Sequence, residues 1–154
     1  MLRVIRSVPA TLVRGLRHFG NLVRSAPMTS ALCASWILIY AMMALSQGTV
    51  QAGGDWLGGG IRPQVSAQFG HLTARQVLQG EYWRPLTATF LHYSLIHLGM
   101  NLIDLFLLGA LLEEWYGPSQ LLGLYVVIGY FGNLLACLSR YEASQVFKSL
   151  SLDP

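Results

Sequence analysis

The residues able to do chemistry cluster in one short stretch. It is Trp83-Arg84-Pro85-Leu86-Thr87-Ala88-Thr89-Phe90-Leu91-His92, continuing through His97 to Asn101. His97, Asn101 and Asp104 stand at i, i+4 and i+7, so a helix over them puts all three on one face. Imidazole and carboxamide N–H groups are good donors to a developing oxyanion. The same side chains also serve as hydrogen-bonding links between membrane helices, and spacing alone leaves both uses open. His92 precedes the helix and approaches from the connection before it. No metal centre is expected: His92 and His97 stand at i, i+5, off a common helix face, and no Cys or Glu completes a ligand set. No cofactor is expected either.

The elements that must position these groups read as membrane helices. Apolar residues make up 53% of the 154 and charged residues 11%, against roughly 25% charged in soluble domains. The mean hydropathy is +0.47. Both values favour a multi-span membrane protein. The net charge of +3 is unevenly spread: Arg3, Arg6, Arg14, Arg17 and Arg24 precede the first long apolar run with no acid among them. Such a bias marks a cytoplasmic flank rather than a nucleic-acid partner. Residues 1–27 read as a basic amphipathic segment, its arginines within a stripe about 80° wide. It is suited to a membrane interface or, in the alternative, to a mitochondrial targeting role. Cys33 and Cys137 lie in apolar runs and read as small hydrophobes.

Three spans are expected, at Met28–Ser46, about Leu95–Leu112 and about Leu121–Leu138, each near the roughly 17–25 residues a spanning helix needs. The connection over 47–84 starts with glycines (Gly53-Gly54, Gly58-Gly59-Gly60) near Asp55 and Trp56. It then holds a short helix with Thr73 as N-cap and Gly80 as C′. A tight turn is expected over Glu113–Pro118, with Gly117 ending one helix and Pro118 starting the next. Gly132-Asn133 reads as a packing and hydrogen-bonding point of the third span. Residues 28–138 are the expected membrane domain and residues 139–154 a polar tail. With the arginines inside, the 47–84 connection lies outside and the acidic turn inside. The plasma or inner membrane is expected, the mitochondrial inner membrane being the alternative.

Several of these motifs together resemble one family. Trp83-Arg84-x-Leu86-Thr87-x-x-Phe90-Leu91-His92-x4-His97-x3-Asn101 resembles the second-helix region of the rhomboid intramembrane serine proteases. Glu113-x3-Gly117 is similar to the signature that follows it, and Gly132-Asn133 to the third helix. The resemblance covers roughly residues 80–136 and implies the N-terminal part of an all-α rhomboid-like bundle with a long first loop. It implies that His97 and Asn101 donate to a tetrahedral oxyanion and that His92 lies near the same cavity. Arg84 would belong to a network in the first loop, and Glu113 and Gly117 to one at the cytoplasmic turn. Gly132 and Asn133 would serve helix packing.

The departures from the family bear on activity. Its nucleophile lies in Gly-x-Ser-Gly after the third helix and its base is a later histidine. Here no glycine follows Gly132 and no histidine follows His97. The usual Ser-His pair cannot be assembled from these residues. The expectation is a rhomboid-type serine endopeptidase cut short before nucleophile and base, inactive as this chain alone. The alternatives are a non-catalytic protein that binds client transmembrane helices, or a fragment without function. The expected partners are the lipid bilayer and transmembrane substrates or clients. Asp104 is a second departure, since the family mostly has an apolar or small residue there. An unpaired Asp in a span is costly.

Overall fold

The computed structural model describes residues 23–47 and 60–149. The basic residues of the first 22 positions, and Gly53, Gly54, Asp55, Trp56, Gly58 and Gly59 of the connection, lie outside the described residues, as does the tail beyond Ser149. The described chain is helical throughout, in the order α1 (Pro27–Ser46), α2 (Pro63–Gln68), α3 (Ala74–Leu78), α4 (Arg84–Ala88), α5 (Leu95–Tyr116) and α6 (Pro118–Ser149). Among the described residues there is no strand. Helices α1, α5 and most of α6 are long and apolar enough to cross a membrane.

Local chemistry sets the ends of these helices. Proline occupies the first turn of α1, α2 and α4, where a missing N–H removes no intrahelical bond. Thr73 caps α3 by accepting from the Gln76 amide, and Ser94 caps α5 by accepting from the His97 amide at 3.1 Å. Gly117 ends α5 at φ 83°, a left-handed conformation that glycine adopts without the Cβ penalty. Its N–H donates to the Glu113 carbonyl at 2.8 Å.

Two boundaries differ from the sequence reading. Helix α5 runs on through Glu113–Tyr116, so the turn shrinks to Gly117. Helix α6 starts at Pro118 and continues through Arg140 and Glu142 to Ser149 rather than stopping near Leu138. At 1.5 Å per residue its 32 residues extend about 48 Å, beyond a hydrocarbon core of about 30 Å.

The first loop folds onto the far end of α1. Met43, Ile61, Val65 and Leu91 form a buried cluster, with Ile39, Tyr40, Ala44 and Phe69 against it. Polar contacts pin the loop. The Ile61 amide donates to the Tyr93 carbonyl at 2.6 Å and the Arg62 amide to Gln47 Oε1 at 2.6 Å, while His71 Nδ1 meets the Tyr93 hydroxyl at 2.7 Å.

Helix α5 packs along α1, where Gly109 lies against the fully buried Thr29. Helix α6 packs on α4, and the close approach is at Gly129: a Cβ there would stand 2.5 Å from Thr89 Cγ2. A Cβ at Gly132 would meet nothing within 4 Å among the described residues. Its neighbour Asn133 does turn inward and donates to the Pro85 carbonyl at 3.1 Å. Much of the apolar surface of α5 and α6 is open, with Leu107, Ile128 and Leu135 each about two-thirds exposed. In lipid such surface carries little cost.

Candidate functional site

A cavity of about 540 Å3 opens between α5, α6 and the end of α4. It brings together His92, His97, Asn101, Asp104 and Asn133. The short helix α4 and the Ser94 cap account for this arrangement. They hand the chain from the loop into α5 with His92 just outside the first turn and His97, Asn101 and Asp104 down one face.

His92 is buried at 3% exposure. Its ring lies 4.6 Å from that of Trp36 and 5.3 Å from that of His97. Its Nδ1 is 3.3 Å from the Phe90 carbonyl, an oxygen that can only accept, so this contact assigns the proton to Nδ1 and leaves Nε2 as the acceptor. Burial and the charge of neighbouring His97 hold the His92 pKa below the ordinary histidine value, with the Phe90 carbonyl pulling the other way. The His97 ring is exposed and Asn101 half-buried. Among the described residues neither side chain is hydrogen-bonded, so their N–H groups remain available to a ligand.

Two residues that the sequence reading passed over form the back of the cavity. Trp36 Nε1 donates to the Tyr125 hydroxyl at 2.7 Å, and that hydroxyl donates to the Thr89 carbonyl at 2.9 Å. This chain of bonds ties α1 to α6 and to the end of α4. The available signal was a polar aromatic in the middle of each apolar run, a residue that needs a partner when buried.

The remaining residues singled out from the sequence lie outside the cavity. Arg84 is buried and fully engaged. Its Nε bonds Glu81 at 2.6 Å, its Nη1 donates to the His71 carbonyl at 2.9 Å, and its guanidinium sits 4.6 Å from the Trp83 ring centre. It staples the first loop. Burial, then the Arg84 charge, lower the pKa of His71 in the same loop. Glu113 is buried at the opposite end of the bundle. Its carboxylate accepts from the amides of Met28 and Thr29 and from the Thr29 hydroxyl, each at 2.8 Å. A carboxylate at a helix N-terminus satisfies free amides and complements the helix dipole. Among the described residues no group of three or more His, Cys, Asp or Glu is placed to hold a metal ion.

A bundle with three candidate membrane helices, and a largely apolar cavity along the second that holds a few polar side chains, defines a multi-pass membrane protein. The Rhomboid domain matches residues 79–149 of this chain. These residues belong to the Rhomboid domain family. It is 28% identical to RHOMBOID-like protein 6, mitochondrial, of Arabidopsis thaliana over 90% of this chain and 52% of that protein. It is 32% identical to Rhomboid protease GluP of Bacillus subtilis over 50% of this chain and 15% of that protein. It is 40% identical to Inactive RHOMBOID-like protein 8 of Arabidopsis thaliana over 38% of this chain and 16% of that protein. The chain thus spans about half or less of the length of these relatives. No solved structure gives a significant match.

Proposed function

We propose that this chain forms the oxyanion-side part of a rhomboid-type intramembrane serine endopeptidase. The observation that carries the reading is the shared cavity. His97 and Asn101 line it from one helical face with unspent N–H groups, and His92 lies beside them. Donors fixed before reaction and aimed at one point are what a tetrahedral oxyanion requires. Arg84, Glu113, Gly117 and Asn133 serve this reading at a distance by holding the loop and the helix ends.

The nucleophile and the base are not among residues 1–154, so this polypeptide by itself is expected not to hydrolyse peptides. A fluorophosphonate probe should leave the purified chain unlabelled, and labelling at any serine would overturn that expectation. The deciding experiment is to sequence the transcript beyond the Pro154 codon. A Gly-x-Ser-Gly segment followed by a histidine-bearing span supports the protease. Unrelated sequence there sinks it. In the assembled enzyme, His97→Ala or Asn101→Ala should lower kcat by about 10²–10³ through loss of one donor.

A second reading is favoured by the exposure of Asp104 on the open side of the cavity. The chain would bind client transmembrane helices without cutting them, and one similar protein carries the word inactive in its name. In either reading the arginine-rich N-terminus lies inside and the first loop outside the plasma or inner membrane.

A further inference from the structure

Among the described residues, Asp104 is the one polar cavity residue that neither the oxyanion reading nor the packing of the bundle uses. It stands nine residues after Leu95 and twelve before Tyr116 in α5. That places it about 14 Å and about 18 Å from the two helix ends, near the middle of the hydrocarbon. Among the described residues nothing hydrogen-bonds or pairs with its carboxyl group, and it is exposed. The surface around it is apolar: Met100, Ile103, Leu107 and Leu108 are 59–65% exposed. A carboxyl group in such surroundings is expensive unless a partner meets it.

We propose that the open side of the cavity docks a membrane helix that presents a lysine or arginine at the depth of Asp104. Charge complementarity selects the occupant. Lipid headgroups carry cationic amines, but at the interface, more than about 10 Å from this depth. A second copy of this chain also fails to supply the charge. Neither α1 nor α5 contains Lys or Arg, and in α6 the first is Arg140. Arg140 lies 22 residues from Pro118, about 33 Å along α6 from the end where Asp104 lies about 18 Å deep. A parallel copy therefore cannot bring the two level. Asn101 and Asn133, beside Asp104 on the cavity wall, add acceptors for further N–H groups of the incoming side chain. The proposal deepens the client-binding reading and rests on it, and it asks nothing of His97.

The test uses the 154-residue chain in phosphatidylcholine vesicles with synthetic 21-residue Leu-Ala transmembrane peptides. The peptides differ only at the central position, which is Lys, Leu or Glu, and association is read by Förster transfer. The central-Lys peptide should bind about tenfold more tightly than the central-Leu peptide, near the upper end of interhelical polar couplings. Asp104→Asn and Asp104→Leu should each reduce that preference, and Asp104→Lys should shift it to the central-Glu peptide. Equal binding of the Lys and Leu peptides to the unmodified chain overturns the proposal, as does a preference that survives Asp104→Leu. His97→Ala should keep the preference. Its effect on cleavage in an assembled enzyme bears only on the oxyanion reading, so the two readings fail separately.

Discussion

At the scale of single residues, Glu113 joins two distant elements through one side chain. One buried carboxylate satisfies two amides and a hydroxyl of α1. Glu113→Gln keeps the shape but removes the charge and places an N–H against amide donors. The expected loss is about 1.5–3 kcal/mol, the range for hydrogen bonds to charged groups. It should appear as a lower unfolding midpoint in detergent, and an unchanged midpoint would show that the cap is dispensable. His92 gives a pH prediction. Its pKa is lowered on folding, so between the folded value and the ordinary histidine value of about 6.5 the unfolded chain binds more protons. Stability should be intact above that window and fall as pH drops through it, with His71 acting in the same direction. Replacing His92 by Phe should flatten part of the slope. A slope identical in the variant would assign the effect to His71 or to other groups.

At the scale of elements, the sequence shows plainly what depends on local chemistry. Run length and missing charge mark the three long helices, and Thr73 and Gly80 bracket α3 because a cap and a left-handed stop act on their own neighbours. What depends on distant partners is not legible. Glu113-Glu114 reads as a turn because acids are poor in a span. The helix continues there because the partner of Glu113 lies 84 residues away, at Thr29. The continuation of α6 did have a signal, since 139–149 contains neither Gly nor Pro to stop a helix. Trp36 and Tyr125 were hidden because their importance lies in each other. The α4–α6 contact separates two glycines that look alike in sequence. Gly129→Val should force Thr89 away and cost about 1–3 kcal/mol. Gly132→Ala should be close to neutral. Equal thermal shifts in the two variants would contradict the packing at Thr89.

At the scale of the whole molecule, the helices place the loop core and the Glu113 cap at opposite ends, so one orientation in the membrane sets both. Positive charge before α1 predicts Glu113 inside and Arg84 outside. Cysteines introduced at Gln79, in the first loop, and at Ser119, after Gly117, test this with a membrane-impermeant maleimide. Both positions are exposed. Gln79→Cys should react in intact cells and Ser119→Cys only after lysis; the reverse pattern would invert the topology. The candidate cavity is legible in part for the same geometric reason. Its α5 face follows from helical spacing within one segment, whereas its back wall needs α1 and α6 to meet.

The Glu113 cap also has a consequence for the order of events during synthesis. The chain is made from the N-terminus, and the amides of Met28 and Thr29 emerge 85 and 84 residues before the carboxylate that receives them. Until α5 has been translated and has turned back across the bilayer, the amides of Met28 and Thr29 lack the carboxylate that caps them. The cap can therefore help fix the depth of the first span only once the second has arrived. A ribosome stalled shortly before codon 113 is expected to leave the first span without this cap, its depth held by its apolar length alone.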